Sequence, residues 1–211
     1  TLINTTSNAS LAASNTGSLS QLSGAVNITG VSNNSGRGVN LAGDLTQNNG
    51  TLNINGSSSN GSGNGVLLSG NLTQNNGSLS IAGNTINSSG GGVSLSSNLT
   101  QNNGSINITD KSSDSVAGGG ISLGNNLIQN NGSINISGMS VGMYGTITQN
   151  NGTLNITGNN TNGVGVEFRS LLSQNGAGFI NINGTSVNER GIRVVANINQ
   201  NSNGTINLSG T

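Results

Sequence analysis

Residues 45–54 read Leu-Thr-Gln-Asn-Asn-Gly-Thr-Leu-Asn-Ile, and this ten-residue pattern returns along the whole chain. Further copies, some of them weaker, lie at 72–81, 99–108, 127–136, 147–156, 172–182 and 198–208. An internal repeat of this length is typical of architectures in which each unit buries its apolar side chains only against its neighbours. The fold can therefore be predicted from the pattern within one unit and from the spacing between units.

The spacing of the repeat is given by its glutamine, which recurs at intervals of 26, 27, 27, 28, 20, 25 and 26 residues. These intervals define eight units, marked by Gln21, Gln47, Gln74, Gln101, Gln129, Gln149, Gln174 and Gln200. The unit that begins at Gln129 is the short one.

Each unit contains three segments with the pattern of short strands. Apolar and polar residues alternate at 51–54 and again after a glycine, as at 65–68, and both segments are bounded by Gly, Asn and Ser. Such alternation predicts half-buried strands, and the Leu-Thr-Gln segment supplies a third, shorter one. Apolar residues nowhere follow the helical spacing.

The amino-acid composition further restricts the class of fold. The chain has 211 residues, 36 of them Gly, only 1% aromatic residues, and no Cys, Pro, Trp or His. This composition is typical of disorder, but the net charge is zero and the repeat is regular, which favours an ordered solenoid. We predict an all-β, single-stranded parallel β-helix with about eight rungs of 20–28 residues and three short strands per rung. It forms one segment over 1–211, with an irregular first rung at 1–23 and regular rungs over 24–211.

Stacking of the rungs places identical side chains above one another. Side-chain amides in such columns can hydrogen-bond from rung to rung. The sequence predicts a structural ladder formed by Gln47, Gln74, Gln101, Gln129, Gln149, Gln174 and Gln200. The alternative for these residues, and for the Asn-Asn-Gly turn that follows each of them, is a ligand-binding role.

Three polar stretches at 57–64, 84–91 and 109–119 vary between units, and we expect them to be surface loops. In the short unit this stretch is replaced by residues 139–144, where Tyr144 accompanies Met139 and Met143. Tyr144 is a candidate contact residue on an exposed rod wall. The alternative is that these side chains pack over the edge of a rung.

The later units carry both phenylalanines. Phe168 aligns with inward positions, whereas Phe179 aligns with the outward Thr51 and Thr205, which makes Phe179 a second candidate contact residue. A shielded Phe179 is the alternative. Glu167 and Arg193 occupy equivalent outward positions, so we expect a surface ion pair between them.

The residue inventory argues against an enzyme. Without His or Cys there is no triad, thiol site or nitrogen–sulfur metal site, and we expect no cofactor and no metal. No two carboxylates share a column in the alignment of Asp44, Asp110, Asp114, Glu167 and Glu189. With zero net charge and no basic stripe we expect no nucleic-acid partner.

The repeats at 70–84 and 151–158, GNLTQNNGSLSIAGN and NGTLNITG, resemble the repeat regions of two-partner-secretion exoproteins. That family includes filamentous haemagglutinin and the high-molecular-weight adhesins of Gram-negative bacteria. The resemblance implies a right-handed parallel β-helix, export through an outer-membrane transporter, and a virulence-associated adhesin at the bacterial cell surface. Its partner would be a host cell-surface receptor or glycan. We further expect an excerpt of a longer repetitive protein, able to self-associate through exposed rung ends.

The family resemblance also suggests glycosylation, because some high-molecular-weight adhesins are modified at Asn-x-Ser/Thr sites. Sites of this type recur in the turn of the repeat at Asn49, Asn76, Asn103, Asn131 and Asn151.

Two other functions remain open on the sequence. One is a passive stalk or self-associating surface filament. The other is ice binding, because two outward polar columns are expected on one face. Their members are Thr51/Asn53, Ser78/Ser80, Ser105/Asn107, Ser133/Asn135, Thr153/Asn155 and Thr205/Asn207.

Overall fold

The computed structural model describes residues 2–7, 11–112 and 120–211, and throughout these ranges the regular structure consists of strands without a helix. Asp114 lies outside the described residues. The strands form three parallel sheets that the chain visits in turn, so that one rung consists of one strand from each sheet.

Sheet 1 contains the alternating segment that follows each Asn-Asn-Gly turn. Its nine strands, in spatial order, are β1 (Leu2–Ser7), β4 (Ala25–Ser32), β7 (Thr51–Gly61), β10 (Ser78–Ser88), β13 (Ser105–Asp110), β16 (Ser133–Gly138), β19 (Thr153–Asn160), β22 (Phe179–Ser186) and β25 (Thr205–Gly210).

Sheet 2 contains the segment that follows a glycine. Its eight strands are β2 (Leu11–Asn15), β5 (Arg37–Leu41), β8 (Val66–Leu68), β11 (Val93–Leu95), β14 (Ile121–Leu123), β17 (Val141–Met143), β20 (Val166–Phe168) and β23 (Ile192–Val194).

Sheet 3 contains the Leu-Thr-Gln segment. Its eight strands are β3 (Leu19–Gln21), β6 (Leu45–Gln47), β9 (Leu72–Gln74), β12 (Leu99–Gln101), β15 (Leu127–Gln129), β18 (Ile147–Gln149), β21 (Leu172–Gln174) and β24 (Ile198–Gln200).

The register places each repeat directly over the previous one. Gln74 pairs with Gln47 on one side and with Gln101 on the other. The predicted parallel β-solenoid with three strands per rung is therefore confirmed. In an isolated rung the backbone groups of a strand have no partner, whereas in the stack they bond to the rungs on either side.

The core is a set of aliphatic columns that follow the alternation of the sequence. Leu52, Leu79 and Ile106 form one inward column of sheet 1, and all three are buried. Phe168 is buried in sheet 2 between Met143 and Val194, as predicted for an inward position. The core thus needs few large side chains, because every inward residue is covered by its own equivalents.

The prediction of surface loops at 57–64 and 84–91 is wrong for most of their length. β7 continues to Gly61 and β10 to Ser88, with Ser58 and Thr85 buried. Their hydroxyl groups have partners, since Ser58 Oγ donates to the carbonyl of Gly36 and Thr85 Oγ1 bonds Ser112 Oγ. Alternation therefore extends into a polar sequence because small hydroxyl residues can be buried once they are hydrogen-bonded.

The third variable stretch is only partly described. Asp110 ends β13 and is buried, and its Oδ1 accepts hydrogen bonds from the backbone nitrogen and the hydroxyl of Ser112. The remainder of the predicted loop, from 113 to 119, lies outside the described residues.

In the ranges that the structure describes, no helix is long and apolar enough to cross a membrane.

We expect the two faces of one strand to respond differently to truncation. Ile108→Ala removes a fully buried side chain from β13 and should destabilise the rod by about 2–5 kcal/mol. Asn107→Ala, at the exposed neighbouring position, should change stability by less than about 1 kcal/mol. Urea unfolding followed by circular dichroism measures both, and equal shifts would contradict the inward–outward assignment.

Candidate functional site

A hydrogen-bonded glutamine ladder runs through the buried corner between sheets 3 and 1. The side-chain nitrogen of each glutamine donates to the side-chain oxygen of the glutamine one rung before it, at 3.0 to 3.1 Å. The members joined in this way are Gln47, Gln74, Gln101, Gln129, Gln149 and Gln174. For these residues the predicted structural ladder is confirmed.

The ladder also fixes the turn and the next rung. Gln101 Nε2 lies 3.2 Å from the carbonyl oxygen of Gly104, at the end of its own turn, and 2.9 Å from that of Ser133, one rung on. The same pair of contacts is repeated at Gln74 and Gln129. Each amide therefore links three successive rungs at the corner where the backbone leaves its sheet.

Gln200 is not part of the ladder, although the sequence predicted it there. It pairs in register with Gln174, but it is exposed and its Nε2 bonds to the Gly204 carbonyl. Within the described residues, the buried Gln174 Oε1 has no hydrogen-bond partner. The physical reason is that β24 is the outermost strand of sheet 3 and is covered on one side only.

Asparagines of the turn form a second ladder outside the first. Nδ2 of one asparagine donates to Oδ1 of its equivalent in the preceding rung, at 2.7 to 3.4 Å. The ladder comprises Asn48, Asn75, Asn102, Asn130, Asn150, Asn175 and Asn201. In six turns the closing glycine has a left-handed backbone, as at Gly50 with φ of 82°, whereas Gly178 and Gly204 in the last two turns do not.

The predicted glycosylation sites lie between this ladder and the glycine. Asn49, Asn76, Asn103, Asn131 and Asn151 are all exposed. Their side chains belong to one column, so neighbouring sites would be about 4.8 Å apart along the rod.

The outer face of sheet 1 is a polar surface with columns of hydroxyl and amide groups. In the amide column, Asn53 donates to Asn27 and Asn181 donates to Asn155, at 2.8 and 2.9 Å. Phe179 interrupts the hydroxyl column between Thr153 and Thr205, and 53% of its surface is exposed. Its predicted outward position is confirmed.

A notch lies on the outer face of sheet 2, where the short rung omits the variable stretch. β16 ends at Gly138 and β17 begins at Val141, so only residues 139 and 140 join them. The resulting cavity has a volume of about 270 Å³. It is lined by Gly120, Ile121, Ser122, Ser140, Val141, Gly142, Tyr144, Asn160, Val164 and Glu167.

Tyr144 lies at this notch with 41% of its surface exposed. The guanidinium carbon of Arg169 lies 5.2 Å from the centre of its ring, within the range of a cation–π contact. Met143 is buried in the core, which leaves it out of any surface patch with Tyr144. The alternation of β17 explains this, because Met143 points inward where Tyr144 follows it at the strand end.

Glu167 binds two arginines beside the notch. Its Oε1 lies 3.0 Å from Arg193 Nη1, which confirms the ion pair predicted from the alignment of rungs. Its Oε2 lies 3.1 Å from Arg169 Nη2, and this second contact was missed. The hydrogen bond to Glu167, and then its negative charge, raise the pKa of Arg169 above its ordinary value, so this cation persists at any physiological pH.

The position of Arg169 beside Tyr144 could have been predicted from the sequence. Since Met143 pairs with Phe168, the residues that follow them, Tyr144 and Arg169, are neighbours along the rod. The structure thus brings Tyr144, Glu167, Arg169 and Arg193 together, and leaves Phe179 on another sheet. Among the described residues, no group of three or more carboxylate, imidazole or thiol side chains is placed to hold a metal ion.

Comparison with protein-family models, with curated proteins and with solved structures finds no match to this chain.

The ladder should contribute stability only where it is buried and joined. Gln101→Leu keeps the side-chain volume but removes the partner of Gln74 Oε1 and of the Ser133 carbonyl, and should destabilise the rod by about 2–4 kcal/mol. Gln200→Leu is the matched control and should have almost no effect. The midpoints of urea unfolding compare the two, and a similar loss in both variants would show that amide bonding is not the cause.

Proposed function

We propose that this chain is a non-catalytic rod segment of a secreted bacterial surface adhesin that mediates attachment to host cells or surfaces. The observation that carries the proposal is the uninterrupted register of the stack, from Leu2 in β1 to Gly210 in β25. A uniform stack produces a stiff, elongated body. Residues that depart from the repeat are then presented on its surface. At about 4.8 Å per rung, eight rungs extend roughly 38 Å.

The departures from the repeat support a contact role. Phe179 replaces a hydroxyl residue in a polar column, and Tyr144 stands at a notch in the rung where only residues 139 and 140 join β16 to β17. Exposed aromatic residues are enriched where proteins bind partners, because they offer a large contact area with few rotatable bonds. The partner is a host cell-surface receptor or glycan.

The sequence resemblance supports the cellular setting. The repeat style is similar to that of two-partner-secretion exoproteins, which pass through an outer-membrane transporter and are displayed as rods at the cell surface. Secretion by this route and a location at the bacterial surface are accordingly parts of the proposal.

Attachment is tested with the fluorescently labelled 211-residue chain on epithelial cell monolayers. We expect saturable binding that unlabelled chain displaces. The double variant Tyr144→Ser, Phe179→Thr should bind about tenfold more weakly, equivalent to about 1.4 kcal/mol. Thr51→Ser, a change within the outward column away from both aromatic residues, is the control.

The control and the double variant are checked for an unchanged unfolding midpoint before cell binding is compared. An absence of saturable binding by the wild-type chain would contradict the adhesin proposal and favour a passive stalk. Concentration-dependent self-assembly without cell binding would favour a surface filament.

A second candidate, ice binding, is favoured by one observation, the register of hydroxyl and amide columns across the outer face of sheet 1. If this face orders water, Phe179→Thr should raise thermal hysteresis, because it completes the hydroxyl column. Freezing-point measurement and ice-crystal microscopy provide the test. Unshaped crystals with both the wild-type chain and the variant would exclude this candidate.

A further inference from the structure

The notch at Tyr144 is a gap in an otherwise continuous outward column of sheet 2. In register, this column runs through Leu67, Ser94, Ser122, Gly142, Glu167 and Arg193. Gly142 is the one member of this set without a side chain. A Cβ atom at Gly142 would lie 2.9–3.0 Å from the edge of the Tyr144 ring, so the ring leans across the gap.

The walls of the gap come from the rungs on either side. Ser122 stands on the preceding rung and Glu167 on the following one. Asn160 and Val164 close the side that faces sheet 1. The notch is therefore bounded by a hydroxyl, a carboxylate, a carboxamide and an aromatic ring, all held on the rigid stack.

The electrostatics of Glu167 restrict what the notch can bind. Only 14% of the Glu167 side chain is exposed, and each of its oxygens already accepts from an arginine. An ionised carboxylate offers about four acceptor sites, so two remain for further donors. Glu167 with its two arginines carries a net charge of +1, so a cation is disfavoured, and an anionic group has no hydrogen to donate to the remaining lone pairs of Glu167. Neutral hydroxyl donors fit it best.

The other groups favour a polyol with an apolar side. Tyr144 offers exposed ring surface together with a hydroxyl, and Asn160 can donate through Nδ2, while its Oδ1 accepts from the backbone nitrogens of Asn162 and Gly163. A pyranose presents adjacent hydroxyls around its rim and a C–H face to an aromatic ring. The volume of about 270 Å³ is slightly below the range of drug-sized pockets, which begins near 300 Å³, so it admits one such ring with its substituents outside.

We propose that this notch binds a neutral hexopyranose unit of a glycan, with two adjacent hydroxyls donating to Glu167 and the C–H face packed against Tyr144. Arg169 and Arg193 are positioning residues that hold the carboxylate in place. The proposal rests on the adhesin function proposed above and assigns its contact site to the short rung.

The sharpest variant is Gly142→Ser. It introduces the residue found at the same position of the two preceding strands, Ser94 and Ser122, and its Cβ would displace the Tyr144 ring, whose edge lies 2.9–3.0 Å away. Ser94→Ala, in the same column but two rungs away, is the matched control. Glu167→Gln keeps the shape of the acceptor while removing its charge and weakening both arginine contacts.

Binding is measured by titration calorimetry and saturation-transfer NMR with the methyl glycosides of glucose, galactose and mannose, and with methyl glucuronoside as the acidic comparison. We expect at least one neutral glycoside to bind the wild-type chain and the Ser94→Ala control equally. Gly142→Ser and Tyr144→Ala should lower affinity at least tenfold, and Glu167→Gln several-fold. NMR contacts should identify the C–H face of the sugar on Tyr144.

Three results would overturn the assignment. They are wild-type affinity in the Gly142→Ser variant, equal or tighter binding of the glucuronoside, and no binding of any neutral glycoside to the wild-type chain. Attachment to cells is measured on the same preparations. If the Gly142→Ser variant still attaches to cells, the adhesin proposal is supported and its contact site lies elsewhere on the rod. If the wild-type chain binds the sugar but does not attach to cells, the notch is a sugar site and the adhesin proposal is wrong.

Discussion

The amide-to-amide hydrogen bond between successive glutamines is the interaction on which the corner of this rod depends. A buried carboxamide brings two donors and an acceptor into the core, and each must find a partner. At Gln101 the amide nitrogen donates to Gln74 of the preceding rung and to two backbone carbonyls, and the amide oxygen accepts from Gln129 of the next rung. The bond is satisfied only at one register, since a slip by one residue would place Thr100 or Asn102 opposite Gln74. The ladder therefore selects the alignment that also stacks the aliphatic columns.

Once that alignment is fixed, residues that depart from the repeat stand out on the outer surface. Most outward positions carry Ser, Thr or Asn, and the asparagines hydrogen-bond to their equivalents in adjacent rungs. The aromatic and charged residues at 144, 167, 169 and 193 are grouped where one rung is short. A shorter rung cannot loosen the sheets, which continue above and below it, so the missing residues become a cavity rather than a defect in the core.

Much of the fold was predictable because, in a solenoid, residues one repeat apart in the sequence are neighbours in space. Alignment alone paired Glu167 with Arg193 and placed Phe168 inward and Phe179 outward. The strand extensions at Ser58 and Thr85 were not predictable from polarity, because their burial depends on hydroxyl partners supplied by other segments. At the short rung the sequence predicted an exposed rod wall and singled out Tyr144. It did not predict the lean of the Tyr144 ring over Gly142 or the contact with Arg169, because both depend on side-chain packing across rungs.

The parallel register has a further consequence for which residues the chain can use. An outward side chain has as its neighbour the equivalent residue one rung away, at about 4.8 Å, and in a regular repeat that residue is of the same type. Amides and hydroxyls are self-compatible at that distance, since one end donates and the other accepts, whereas two like charges repel by about 1 kcal/mol even in bulk water. A chain diversifying by duplication of such a unit is thus barred from charged columns, which accounts for the 5% of charged residues here. Where opposite charges do meet in adjacent rungs they attract, as Glu167 does with Arg193.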